Sequence, residues 1–162
     1  MSILKNENST LGSSSNASLA RAVIPMGDDF TNTSLNNDYQ VIPFGAATYD
    51  TDNAWDEVSN SYVIPSSGDY RIDLISSWRN NGGTSNDPQS VHIRINGADS
   101  NLSARHDFGD LLSADGHLTL TISGLLPQLS IGDVITVELF DADDAMIIQG
   151  AHTTLSISQE PS

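Results

Sequence analysis

The chain has 162 residues and a mass of 17.3 kDa, which fits one domain plus an appendage. It contains no cysteine, which excludes disulfides, thiolate-bound zinc and a cysteine nucleophile. A formal charge of −15 repels a phosphate backbone and makes nucleic acid a poor partner. The acidic residues are scattered, not blocked. They serve solubility on the plainest reading, and docking on a basic surface on the sharper one.

Residues 1 to about 38 are rich in Ser, Asn and Thr, with Gly12-Ser13-Ser14-Ser15-Asn16 as the most flexible piece. Such a composition buries too little apolar surface to fold alone. The first ten residues form no apolar signal segment and no span of membrane length follows, so neither secretion by a leader nor membrane insertion is expected. One apolar island, Leu19 to Met26 (LARAVIPM), is expected to be a first edge strand that Pro25 ends. The expected division is an extended polar arm over 1–38, including that strand at 19–26, and a folded domain over 39–162. On the functional reading the arm lies on a partner. Ile3, Leu4 and Leu11 are then its apolar anchors, and Lys5 and Arg21 its cationic contacts.

The domain opens at Tyr39-Gln40-Val41-Ile42-Pro43-Phe44, and its organising stretch runs from Tyr49 to Trp78. Tyr62-Val63-Ile64-Pro65 reads as a short strand, Ser66-Ser67-Gly68 as a corner, and Asp69 to Trp78 as a long strand. Tyr70, Ile72, Leu74, Ser76 and Trp78 share one side of it, and Asp69, Arg71, Asp73 and Ser77 the other. A period of two with apolar residues on one side is the mark of a half-buried strand. A turn cluster at Asn80–Pro88 leads to Ser90–Ile95, with Val91, Ile93 and Ile95 inward and His92 and Arg94 outward. Asn96-Gly97 is the strongest hairpin signal in the chain. Strands follow at Asn101–His106, His117–Leu125, Val134–Phe140, Met146–Gln149 and Thr153–Gln159, with Gly132-Asp133 turning the chain into Val134. No segment carries a helical apolar period. Many short strands at even spacing without helices argue an all-β sandwich or jelly roll.

No residue set forms an active site. There is no Gly-x-Ser-x-Gly, and His92, His106, His117 and His152 lie in four separate segments, none paired at metal-binding spacing. Asp50-Thr51-Asp52-Asn53 opens like a calcium loop, but Ala54 and Trp55 occupy positions that need a ligand and a glycine. Asp141, Asp143 and Asp144 form a second acidic cluster, ordinary at a strand end. The expectation is a non-enzymatic protein without cofactor or metal.

The Tyr49-Asp50 pair, the aromatic-x-x-Pro corner of Tyr62 to Pro65 with Gly68-x-Tyr70, the Ile95-Asn96-Gly97 turn and Leu129-x-x-Gly132-Asp133-x-Ile135-x-Val137 follow one another in an order that resembles the tumour-necrosis-factor and complement globular-head jelly rolls. The likeness covers roughly residues 40 to 160. It departs from that superfamily at the C-terminal strand, where Thr154–Gln159 (TLSISQ) lacks the usual aromatics. The resemblance implies a jelly-roll β-sandwich with an N-terminal arm that packs as a homotrimer. In that setting one face of Val134–Phe140 fills the sandwich and the other meets neighbouring protomers. A cysteine-free, acidic jelly roll with a polar arm also resembles the decoration, or cement, proteins of tailed-bacteriophage heads. That likeness implies a trimer on the outer surface of the virion, bound to the major capsid protein through its arms, with no membrane or nucleic-acid partner. The alternative is the receptor- or glycan-binding head of a phage fibre or bacterial surface appendage, with Trp55 as the one exposed aromatic suited to a sugar.

Overall fold

A computed structural model of the chain describes residues 19–31, 38–80, 88–107, 117–141 and 146–161. Thirteen strands run through these residues: β1 (Arg21–Pro25), β2 (Phe30–Thr31), β3 (Asp38–Val41), β4 (Tyr49–Asp50), β5 (Trp55–Asp56), β6 (Ser61–Val63), β7 (Gly68–Asn80), β8 (Pro88–Ile95), β9 (Ala98–Asp107), β10 (His117–Leu129), β11 (Val134–Asp141), β12 (Met146–Ile148) and β13 (Thr154–Gln159). A single 3-10 turn at Gly150–His152 separates the last two. The strands form two antiparallel sheets packed face to face. The first has the order β2-β12-β7-β13-β1-β4, with β10 on the other edge of β7; the second has the order β5-β6-β11-β8-β9, with β3 also on β11. In each sheet one long strand has an edge divided between two short ones: β12 and β13 share β7, and β3 and β6 share β11.

The alternation read from the sequence sets which face is dry. Tyr70, Ile72, Leu74, Ser76 and Trp78 of β7 are all buried, as are Ile122 and Leu126 of β10, Leu155 and Ile157 of β13, and Ala22 and Ile24 of β1. Val91, Ile93, Ile135, Val137, Leu139 and Tyr62 face them from the second sheet, with Ile42 and Phe44 closing the core between β3 and β4. Each large aliphatic side chain so buried contributes about 1.5–3 kcal/mol. The TLSISQ strand lacks aromatics yet supplies Leu155 and Ile157 in the inward register, so the core is completed by aliphatics.

Turn chemistry holds the register. Asn96 and Gly97 have φ of 52° and 76°, the left-handed pair a tight hairpin needs. The Asn96 carboxamide donates to Asp133 Oδ1 at 2.8 Å and accepts from the Val134 N–H at 2.9 Å, pinning the β8–β9 turn to the β10–β11 turn. The Asn96 bond, together with one from the Ser130 N–H, holds the Asp133 carboxyl below its ordinary range.

One expectation changes here. The 19–26 strand is not an edge: β1 lies between β13 and β4, with Ala22 and Ile24 in the core. An apolar island in a polar region reads as an appendage until its partner β13, at the far end of the sandwich, is known. β2 is likewise built into the first sheet, so the described part of residues 19–38 belongs to the sandwich. On the outward face of β11, Tyr39 of β3 packs on Phe140 with ring centroids 5.1 Å apart and Arg94 of β8 pairs with Glu138, while Val41 and Val63 of the neighbouring strands stay exposed.

Candidate interaction surface

The outward face of the first sheet can be built directly from the ladder register. Arg21, Ser158, Arg71 and Leu125 form one row across β1, β13, β7 and β10. Tyr49, Val23, Ser156, Asp73 and Ser123 form the next, and Pro25, Thr154, Ile75 and Thr121 the third. Ile75 on the inner strand β7 is 51% exposed, Leu125 on the edge strand β10 is 45% exposed, and Tyr49 on the opposite edge strand β4 is 51% exposed. Serine and threonine fill the positions between. The chain has only six basic residues, and Arg21, Arg71 and Arg79 all sit on this face. Arg71 Nε pairs with Glu160 at 2.8 Å, Arg79 with Asp29 at 3.2 Å, and the Arg21 guanidinium lies 5.9 Å from the centroid of the Tyr49 ring. A sheet face with exposed apolar side chains and basic groups that offset the acidic charge is what self-association requires of a strongly acidic chain. Ile75 carried the one available sequence signal, an apolar residue in the outward register among Asp69, Arg71, Asp73 and Ser77.

The outward face of the second sheet is different. Glu138 on β11 is only 7% exposed, and its carboxylate accepts from Arg94 Nη1 at 2.7 Å and from Thr136 Oγ1 at 2.8 Å. Arg94 also donates to the Gly97 carbonyl, places Nε 3.3 Å from Asp99 Oδ1 and lies 4.4 Å from the centroid of the Tyr39 ring. The Tyr39 hydroxyl donates to Asp99 at 3.3 Å; burial, and then Asp99, raise its pKa. Arg94 thus donates from Nη1 to Glu138 and from Nη2 to Gly97 and lies over a π-face, while its buried Nε has no hydrogen-bond partner and faces Asp99 as an ion pair. It braces β3, β8, β9 and β11.

Beside it, Ser90 Oγ and His92 Nε2 share a hydrogen bond of 2.8 Å, and His92 Nδ1 lies 3.9 Å from Asp99. This has the composition of a nucleophilic triad without its geometry. The His–Asp distance exceeds a hydrogen bond, Ser90 is buried on a flat strand, and its backbone lies within the ladders to β11 and β9, so no N–H is free to hold an oxyanion. Burial, more than the nearby Arg94, holds the His92 pKa below its ordinary 6.5, against the opposing pull of Asp99 and Glu138. The unfolded chain therefore takes up a proton that the folded chain resists, and stability is lost as pH falls below about 6.5. The urea midpoint should drop between about pH 7.5 and about pH 5.5, and His92→Gln should flatten that slope. An unchanged slope in the variant would assign the loss to other groups.

The remaining candidate positions are dispersed. Asp50 accepts from the backbone N–H groups of Asp52 (3.2 Å) and Trp55 (2.8 Å), which makes it a loop brace. Among the described residues no group of three or more acidic or histidine side chains is placed to hold a metal. Asp143 and Asp144 lie outside the described residues, as do the arm positions Ile3, Leu4, Lys5 and Leu11. Arg21 is described and exposed, on the outward face with Tyr49. Trp55 is half-buried on β5; its Nε1 donates to the Gly45 carbonyl at 3.1 Å and its ring stands edge-on to Phe44 at 6.1 Å.

Solved structures share this two-sheet arrangement. Crystal structures of murine APRIL at pH 5.0 and pH 8.0 superpose with TM-scores of 0.64 and 0.63 at 10% sequence identity, covering 88% of this chain and 99% of that one. The globular domain of zebrafish complement 1qA protein superposes with a TM-score of 0.58 at 12% identity, covering 88% and 98%. The fold is a tumour-necrosis-factor-like jelly roll. No protein-family model matches the chain, and no curated protein matches it. Among the described residues, the outward face of the β4-β1-β13-β7-β10 layer carries the exposed side chains of Tyr49, Ile75 and Leu125.

Proposed function

We propose that the protein is a non-enzymatic homotrimeric decoration, or cement, protein that sits on the outer surface of a tailed-phage head and binds its major capsid protein. The observation that carries the assembly is the outward face of the first sheet, where Ile75 and Leu125 stand exposed beside serines, threonines, Arg71 and Asp73, and three of the six basic side chains offset the acidic field. Leu19, Ala20 and Arg21, where the described residues begin, border a depression with Asp73, Ser156 and Gln159. Three arms on one trimer bind multivalently, so a weak contact per arm yields firm attachment. Binding only the assembled shell stabilises that shell by mass action.

Native mass spectrometry should give a species of about three times the chain mass. Ile75→Glu together with Leu125→Glu should give a folded monomer, because an unpaired carboxylate buried in an interface costs several kcal/mol. A wild-type monomer at micromolar concentration removes the assembly. Deleting residues 2–18 tests the shell-binding separately. The truncated protein should keep its β-type circular dichroism and its trimer, lose most of its occupancy on heads, and leave those heads less heat-tolerant. Wild-type occupancy after truncation would move the anchor from the arm to the jelly roll.

A further inference from the structure

We propose that the end of the sandwich where β10 turns into β11 is a second contact with the shell, at which Ile131 enters an uncharged, apolar hollow of the coat protein. The inference rests on the decoration reading above and names the part of the jelly roll that faces the head. Three turns meet at this end: Ser66-Ser67 before β7, Asn96-Gly97 between β8 and β9, and Ser130-Ile131-Gly132 between β10 and β11. Ile131 is 70% exposed at the tip of the last, on backbone held at each position. Asp133 Oδ2 accepts from the Ser130 N–H at 2.7 Å, Ser67 Oγ from the Ile131 N–H at 3.0 Å, and the Ile64 carbonyl from the Gly132 N–H at 2.9 Å. Gly132 has φ of 88°, a conformation that a side chain would strain. An apolar side chain on so fixed a turn loses little backbone freedom when a partner covers it.

Charge sets this end apart. The chain carries −15, yet the stretches Leu118 to Gly132 and Ile64 to Gly68 contain no charged residue. The carboxylates that border the turns are already engaged: Asp133 accepts from Asn96 and Ser130, Asp69 from the Gln128 N–H, and Glu160 from Arg71. Covering Ile131 therefore strips water from no free carboxylate, as the core of an interface requires. The start of β1 is tied to the same end by Gln159. Its carboxamide oxygen accepts from the Ala20 N–H at 3.4 Å and from Ser66 Oγ at 3.0 Å, and its Nε2 donates to the Ser67 carbonyl at 3.3 Å. Gly68 makes room for it, since a Cβ there would come within 2.9 Å of Gln159 Nε2. One side chain thus links Leu19, the first described residue, to the corner that holds Ile131. The eighteen residues before Leu19 are tethered here. An arm engaged with the coat lattice brings Ile131 to that lattice, and the two contacts reinforce each other on one surface. The occupant is the shell and not a second copy of this chain: Ile131 lies beyond Leu129, the last ladder position of β10, and so off the sheet face through which the copies associate.

The test is binding of the full-length protein to undecorated heads, measured by cosedimentation over a range of protein concentrations. Ile131→Asp should remain a folded trimer by native mass spectrometry and bind about tenfold more weakly, because its carboxylate would enter the hollow unpaired. Ile131→Ser, which adds no charge, should weaken binding about threefold through lost apolar burial. Val58→Asp adds the same charge at the exposed β5–β6 turn, at the other end of that hairpin from Val63 and Val134. It should bind within about twofold of wild type. Unchanged binding by Ile131→Ser, or equal weakening by Ile131→Asp and Val58→Asp, would overturn this contact and leave the decoration reading standing. Loss of the trimer in Ile131→Asp would overturn it as well, by giving the turn to the assembly. Wild-type protein that does not bind heads removes the decoration reading itself, and this contact with it.

Discussion

Trp78→Ala is expected to lower the unfolding free energy by about 3–5 kcal/mol, the largest effect of any single truncation in this chain. Trp78 is completely buried on β7, where it pairs with Leu118 of β10 on one side and Ile148 of β12 on the other. Its removal forfeits the transfer free energy of the largest side chain in the core and leaves a cavity that two sheets held by ladders on three strands cannot collapse to fill. The loss is a sizeable fraction of the stability of a domain this size. Urea denaturation followed by circular dichroism should show a clearly lower midpoint with an unchanged slope. Trp55→Ala makes the comparison, because that ring is half-buried and packs edge-on to Phe44 alone among the aromatics, so its loss should be markedly smaller. Equal midpoints for Trp78→Ala and wild type would mean that the β7 register is wrong by one residue.

Arg94→Met should cost about 3 kcal/mol, and for a different reason. Methionine keeps much of the packing on Tyr39 but leaves Glu138 buried without its cation, while Asp99, half exposed, keeps the Tyr39 hydroxyl and solvent. Replacing both members, Arg94→Met with Glu138→Met, should recover most of the loss, since a well-packed apolar pair is often as stable as a buried ion pair. A double-mutant cycle from urea midpoints measures this directly. If the double variant is as unstable as the sum of the two singles, the two charges do not act as a pair and the brace over β3 is carried by Tyr39 and Phe140 instead.

Strand positions with a clean period of two were legible from the residues alone. The inward set of β7, the alternation of β8 and β10, and the Asn96-Gly97 turn all stand where the pattern puts them, because side-chain direction in a strand is fixed by parity. What parity cannot state is who lies beside whom. Val134–Phe140 looks apolar on both sides, and only the pairing with β3, a partner far away in sequence, brings Tyr39 onto Phe140 on its outward face. The same holds for the LARAVIPM island, whose place between β13 and β4 depends on residues near both ends of the sandwich. The candidate surface was legible in a single letter, Ile75. Its extent required the β1 and β13 registers, which place Arg21, Val23 and Ser158 beside it. Trp55 was visible as an isolated aromatic among acids, but its contact with Phe44 and its bond to the Gly45 carbonyl exist only once the chain is folded.

The position of β13 has a consequence for how the chain is made. It is the last strand of the sandwich to leave the ribosome, yet it sits inside the first sheet, joining β7 on one side to β1 on the other. The Ala20 N–H reaches Gln159 Oε1 across 139 positions of sequence. Until Thr154–Gln159 emerges, β1 and β4 have no sheet to join, and one edge of β7 stands open with half the core uncovered. At a synthesis rate of about 5–20 residues per second, the nascent chain must keep these edges apart for several seconds. Its scattered carboxylates are suited to that interval, since like-charged neighbours on a polysome repel one another before any of them can fold.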